Sequence, residues 1–156
     1  MNLFFGIGII TVAIARGKEK EKLARELGAH HYIDSSNEDV GQALKKLGGA
    51  DAILATAASG KSMSPLLNGL KARGKLIVVG VSNEPTEFTS PQLIRGSKRI
   101  QGSASGTAMD SEDTLKFAHQ HQIRSINEVV PLEQAQDAYN KMMKNQARFR
   151  MVLKIA

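Results

Sequence analysis

At 156 residues the chain fits one ordinary domain, a size at which folding buries about 68–70% of the surface of the unfolded chain. Hydrophobic residues at 42% and charged residues at 23% lie near the globular average, which argues against disordered, collagen-like and fibrous classes. The net charge of +6, from 21 Lys+Arg against 15 Asp+Glu, raises nucleic acid, anionic membranes and phosphorylated ligands as partners. The basic residues are spread along the chain and only five Phe and two Tyr accompany them. No nucleic-acid partner is therefore expected, and a phosphorylated small molecule is the simplest one.

The absence of cysteine removes disulfides, Cys-based zinc sites and thiolate nucleophiles, and suits a reducing compartment such as the cytosol. The opening MNLFFGIGII is too short to span a bilayer and lacks the basic start and cleavage site of a signal peptide, so no membrane partner is expected. It reads as part of a buried strand running from Gly6 to Ala15.

Arg16-Gly17 ends that strand. Lys18 to Leu27 reads as a helix with Leu23, Ala24 and Leu27 inward, closed by Gly28 where a left-handed residue is wanted. His31-Tyr32-Ile33 is a short second strand. Ser36 followed three residues later by Asp39 resembles a capping arrangement, and Val40, Ala43, Leu44 and Leu47 fall on one helical face that Gly48-Gly49 stops. Ala52 to Ala57 is a third strand, Ser64 to Leu70 a helix with Pro65 in its first turn, and Lys75 to Val81 a β-branched fourth strand. Ser90-Pro91 opens a short helix, and Arg99 to Ser103 gives another strand. Strands that alternate with helices predict parallel pairing. Helices follow from about Glu112 to His121 and from about Leu132 to Lys144. The closing RFRMVLKI alternates Phe149, Met151, Leu153 and Ile155 on one face and reads as a strand outside the main sheet.

Several segments, in this order, carry a family resemblance: VAIARGKEKEKLARELGAHHYID, GADAILATAAS, GKLIVVGVS, RIQGSASG and VVPLEQAQDAYNKMMKNQARFRMVLKI. From about Thr11 to Ile155 the chain resembles the cofactor-binding, C-terminal part of zinc-type medium-chain alcohol dehydrogenases. The resemblance implies an α/β fold, a Rossmann-like parallel sheet flanked by helices and incomplete at its N-terminus. It implies one nucleotide-binding domain over residues 1–156, with about 127–156 returning toward a catalytic domain that is not in the sequence. The family's glycine-rich first turn, which holds the cofactor pyrophosphate, is also missing, Gly6-Ile7-Gly8 being only a fragment of such a run. A truncated or excised product, inactive alone and with part of its core uncovered, is the expectation. Each lost hydrogen bond to the pyrophosphate is worth about 1.5–3 kcal/mol, so cofactor binding is expected to be weak or absent.

The same resemblance assigns site residues. NAD-using relatives carry an acid at the end of the strand before Arg16, where this chain has Ala15. Arg16 and Lys20, with Lys18 within reach, offer cations for a 2′-phosphate instead, which favours NADP(H) over NAD(H). By residue type alone, RGKEKEK reads instead as a solvated helix face of mixed charge. Thr56 and Ala57 match the strand end that the adenine-side ribose crosses. Val79, Gly80 and Val81, with Ser103, Ala104 and Ser105 after Gly102, match two loops that anchor the nicotinamide carboxamide, although a plain strand-ending turn would look the same. Arg150 matches an arginine that reaches the pyrophosphate. Zinc serves the full-length family, but no ligands for it are on this chain, no catalytic residue is assigned, and His30, His31, His119 and His121 read as structural or solvent-facing. The family implies a homodimer through the sheet edge near Gly102 to Thr107. Two other readings stay open: a nucleotide-binding or dimerising module without chemistry, and a relative of zinc-independent quinone reductases, whose second half has the same architecture.

Overall fold

In the computed structural model, which describes residues 8–144 and 146–155, every strand pair among those residues is parallel. The chain divides into two compact units, Met1–Ser111 and Glu112–Ala156. The first unit carries strands β1 (Val12–Ala15), β2 (His31–Asp34), β3 (Ala50–Ala55), β4 (Leu70–Val78) and β5 (Arg99–Gly102). They form two sheets, β1-β2 and β3-β4-β5. Between the strands run α1 (Glu21–Glu26), α2 (Val40–Lys46), α3 (Gly60–Met63) and α4 (Ser90–Ile94). This is the expected α/β pattern of parallel strands joined by helical crossovers.

The local signals act through their backbone geometry. Gly28 closes α1 at φ 94°, with its amide on the Arg25 carbonyl at 2.9 Å and the Ala29 amide on the Ala24 carbonyl at 3.0 Å. Gly48 repeats the arrangement after α2, also at φ 94°, with the Gly49 amide on the Leu44 carbonyl at 2.8 Å. Both are Schellman ends, in which a left-handed glycine lets two amides return to otherwise unpaired carbonyls.

Several expectations are corrected. The first strand begins only at Val12, with Ile9 and Ile10 exposed; Gly6, Ile7 and the residues before them lie outside the described residues. The Lys18–Leu27 helix opens as a 3-10 turn over Lys18–Lys20 before α1. The cap of α2 is Asp39, whose carboxylate accepts the Gln42 amide at 2.7 Å, and not Ser36; Leu47, past the last turn, is exposed. Pro65 sits in a 3-10 helix, Ser64–Gly69, that continues α3. Strand β4 starts earlier than expected, at Leu70, and passes through Arg73 at φ 62°. Strands β3, β4 and β5 end at Ala55, Val78 and Gly102, so Thr56, Ala57, Val79 to Val81 and Ser103 fall just beyond them.

The core lies on one face of the three-stranded sheet. Ile53 and Leu76 pack there with Ile33 of β2, Val40 and Leu44 of α2, and Met63, Leu66 and Leu67 of the α3 segment; Val12 and Ile14 of β1 border the cluster. Burying side chains of this size stabilises by about 1.5–3 kcal/mol each. Alternation along β3 sends Leu54 to the opposite face, where it is 51% exposed. A doubly wound sheet is covered on both faces; here that second face stays partly open.

In the second unit, β6 (Asn127–Pro131) pairs in parallel with β7 (Arg150–Lys154), and α6 (Ala135–Met143) lies between them in sequence. The last strand thus pairs in a sheet of its own, as its sequence suggested. The Lys141 ammonium and the Arg148 amide both bind the Glu128 carboxylate. Helix α5 (Ala108–Gln120) runs across the division between the units.

Candidate functional site

Parallel pairing puts the carboxyl ends of β3, β4 and β5 at one edge, with Ala55, Val78 and Gly102 in one row of the register. The residues that follow this row make the candidate site, because open α/β sheets bind ligands beyond the carboxyl ends of their strands. The Val79 and Gly80 amides both donate to the Ala55 carbonyl at 3.0 Å, and the Ser103 amide donates to the Val78 carbonyl at 2.9 Å. These three amides are therefore engaged in holding the strand ends. Among the described residues, the amides of Val81, Ala104 and Ser105 have no such partner.

Two glycines at this edge differ in kind. A methyl group on Gly80 would overlap the Ala57 carbonyl oxygen, so that glycine is required by the packing of the loop after β4 on the loop after β3. A methyl on Gly102 would meet nothing within 4 Å. Nothing among the described residues demands a glycine there, and the open space suits the approach of a flat ligand to the backbone.

At the neighbouring pair, Ala15 lies in register with Asp34. The Ala15 carbonyl accepts the Ser35 amide at 3.0 Å, and the Arg16 carbonyl accepts the Lys20 ammonium at 2.7 Å. Gly17 follows at φ 90°, a conformation that side chains disfavour. Both of its polar groups are taken by β2: its amide donates to Asp34 Oδ1 at 2.8 Å and its carbonyl accepts the Tyr32 hydroxyl at 2.6 Å. Among the described residues of this unit, Asp34 is the buried polar residue, 9% exposed. It also accepts the Ser36 amide at 3.0 Å and the Asn37 side-chain amide at 2.7 Å. The backbone donors, Ser36 first and Gly17 next, hold its carboxyl below the usual aspartate value. Burial first, then the Asp34 charge, pushes the Tyr32 phenol up, which keeps it a donor.

Of the cations expected here, Lys20 binds the Arg16 carbonyl and lies 3.8 Å from Glu19, while Arg16 is exposed and its guanidinium has no partner among the described residues. Three members of this corner carry no local signal in the sequence. Asp34 and Tyr32 act across a strand pair on a residue at least 15 positions away, and the Glu19 carboxylate lies against Gly17, where a methyl group would overlap it. Arg150 stands exposed at the start of β7 in the second unit. His30 is structural: its Nδ1 accepts the Thr11 amide at 3.0 Å.

The model of one known family, described as zinc-binding dehydrogenase, matches residues 3–120. The chain belongs to this family. Among curated relatives, an Aspergillus alcohol dehydrogenase, notN, is 42% identical over 151 residues, which is 94% of this chain and 43% of that protein. The Penicillium expansum alcohol dehydrogenase patD is 41% identical over 146 residues, again 94% of this chain and 43% of the relative. A solved cinnamyl alcohol dehydrogenase from Sorghum bicolor superposes with a TM-score of 0.81 at 30% identity, covering 94% of this chain and 41% of that one. The chain thus spans under half the length of the dehydrogenases it matches.

Zinc, which the zinc-binding dehydrogenase name implies, finds no donor set here. Cysteine is absent, and among the described residues no three or more His, Asp or Glu gather where they could hold a metal ion. No described helix is long and apolar enough to cross a membrane.

Proposed function

We propose that this chain is the cofactor-binding part of an alcohol dehydrogenase-like oxidoreductase that moves a hydride between an alcohol or aldehyde and nicotinamide, and that it prefers NADP(H). The observation that carries this reading is the exposed Arg16 guanidinium, without a partner among the described residues, immediately beyond the end of β1, where Ala15 leaves the strand without a carboxylate. A guanidinium offers a fork of donors to a phosphate. At the other edge, the amides of Val81, Ala104 and Ser105, with the open space at Gly102, support the placing of the carboxamide. Thr56 and Ala57 follow the end of β3 at that same edge. The assignment of Arg150 to the pyrophosphate rests on sequence resemblance alone. The part proposed for this chain is to hold and orient the dinucleotide; the groups that would act on a substrate are assigned to no residue here.

Fluorescence titration of the purified chain with NADPH and, separately, NADH tests the reading. Saturable binding of NADPH, tighter than that of NADH, with the difference lost in Arg16→Ala, is expected. No binding of either dinucleotide up to about millimolar concentration would overturn it.

A further inference from the structure

We infer that Asp34, seconded by Tyr32, is a positioning residue for 2′-phosphate recognition, acting through the Arg16–Gly17 turn; the inference rests on the cofactor reading above. An arginine side chain loses much rotamer freedom when it grips a phosphate, and a mobile backbone beneath it adds to that loss. Here the backbone is held on both sides. The Ala15 carbonyl is bound by Ser35, the Arg16 carbonyl by Lys20, and both polar groups of Gly17 by Asp34 and Tyr32. Three of these four ties come from β2 or the residue after it.

The Asp34 carboxylate does not compete with Arg16 as an anion partner. Its oxygens accept from Gly17, Ser36 and Asn37, and it is buried. A carboxylate at the end of β2 therefore shapes the turn at the end of β1, where the strand itself carries none. Gly17, at φ 90°, can follow because it lacks a side chain, so the turn depends on the glycine and on the acid that accepts its amide.

The experiment compares adenosine 2′,5′-bisphosphate with AMP, two probes that differ in the 2′-phosphate, by calorimetric titration of the full chain. Asp34→Ala and Tyr32→Phe are made in the parent and in an Arg16→Ala background. Positioning predicts that Asp34→Ala lowers the preference for the bisphosphate by about fivefold or more, and Tyr32→Phe by less, while neither changes it further once Arg16 is gone, as for residues that act as one unit. Equal loss for both probes, or the same loss in the Arg16→Ala background, would overturn the inference. So would a preference that Arg16→Ala lowers but Asp34→Ala and Tyr32→Phe leave intact, and in that case the cofactor reading survives. A parent with no preference for the bisphosphate, or one that Arg16→Ala leaves unchanged, overturns both. If Asp34→Ala does not fold, Tyr32→Phe, which removes one hydroxyl, decides alone by the same comparison.

Discussion

Gly17 donates its amide to Asp34 Oδ1 across 2.8 Å, so the turn that ends the first strand is fixed by the residue that ends the second. The bond has a consequence for acid stability. Because its backbone donors lower the folded-state pKa of Asp34, the stabilisation is fully present above the unfolded value of about 3.9 and is lost as pH falls through the lower folded value. Thermal midpoints of the parent and Asp34→Asn, followed from neutral pH downward, are expected to lie apart at pH 7 and to converge at acid pH. A gap that persists undiminished at the acid end contradicts the assignment.

The two glycines at the sheet edge should respond in opposite ways. Gly80→Ala drives a methyl into the Ala57 carbonyl, a backbone group that cannot turn aside, and should cost about 1–3 kcal/mol. Gly102→Ala meets nothing and should change stability by no more than about 0.5 kcal/mol, while weakening dinucleotide binding by occupying the space proposed for it. Denaturant titration beside a cofactor titration separates the two effects. A destabilised Gly102→Ala, or one that binds as the parent does, would count against that placing.

Glu19 sets an anion against Gly17 and beside Lys20, close to the turn that is proposed to meet a 2′-phosphate. Its removal should help. Glu19→Gln is expected to raise NADPH affinity by up to about fivefold, the range of an exposed charge interaction, and to leave NADH affinity nearly unchanged. The gain should shrink as salt is added. A fall in NADPH affinity would mean that Glu19 serves the ribose hydroxyls instead.

Much of the fold was legible because its signals are local. Gly28 and Gly48 stop helices by a conformation that only their own residue type adopts readily, and the alternation of strands and helices announced the parallel pairs. Strand β4 is expected only from Lys75, yet pairing of Leu70 with Ala50 carries the strand through Arg73 at a left-handed φ of 62°. The candidate residues Arg16, Thr56, Val79 and Ser103 were named from the family resemblance, and they lie just beyond strand ends. Asp34 was not, since an aspartate after a strand reads as an ordinary turn residue, and its role arises from a bond 17 positions away.

Amide chemical-shift mapping of the isotopically labelled chain during titration with NADP+ tests directly whether this chain holds a dinucleotide at these strand ends. The amides of Gly17, Val81, Ala104 and Ser105 are expected to shift together along one saturation curve, because one dinucleotide would lie beyond the ends of β1, β3, β4 and β5. Shifts that spare these residues, or that gather in the groove lined by residues such as Ala118, Ile123 and Ser125, would contradict it.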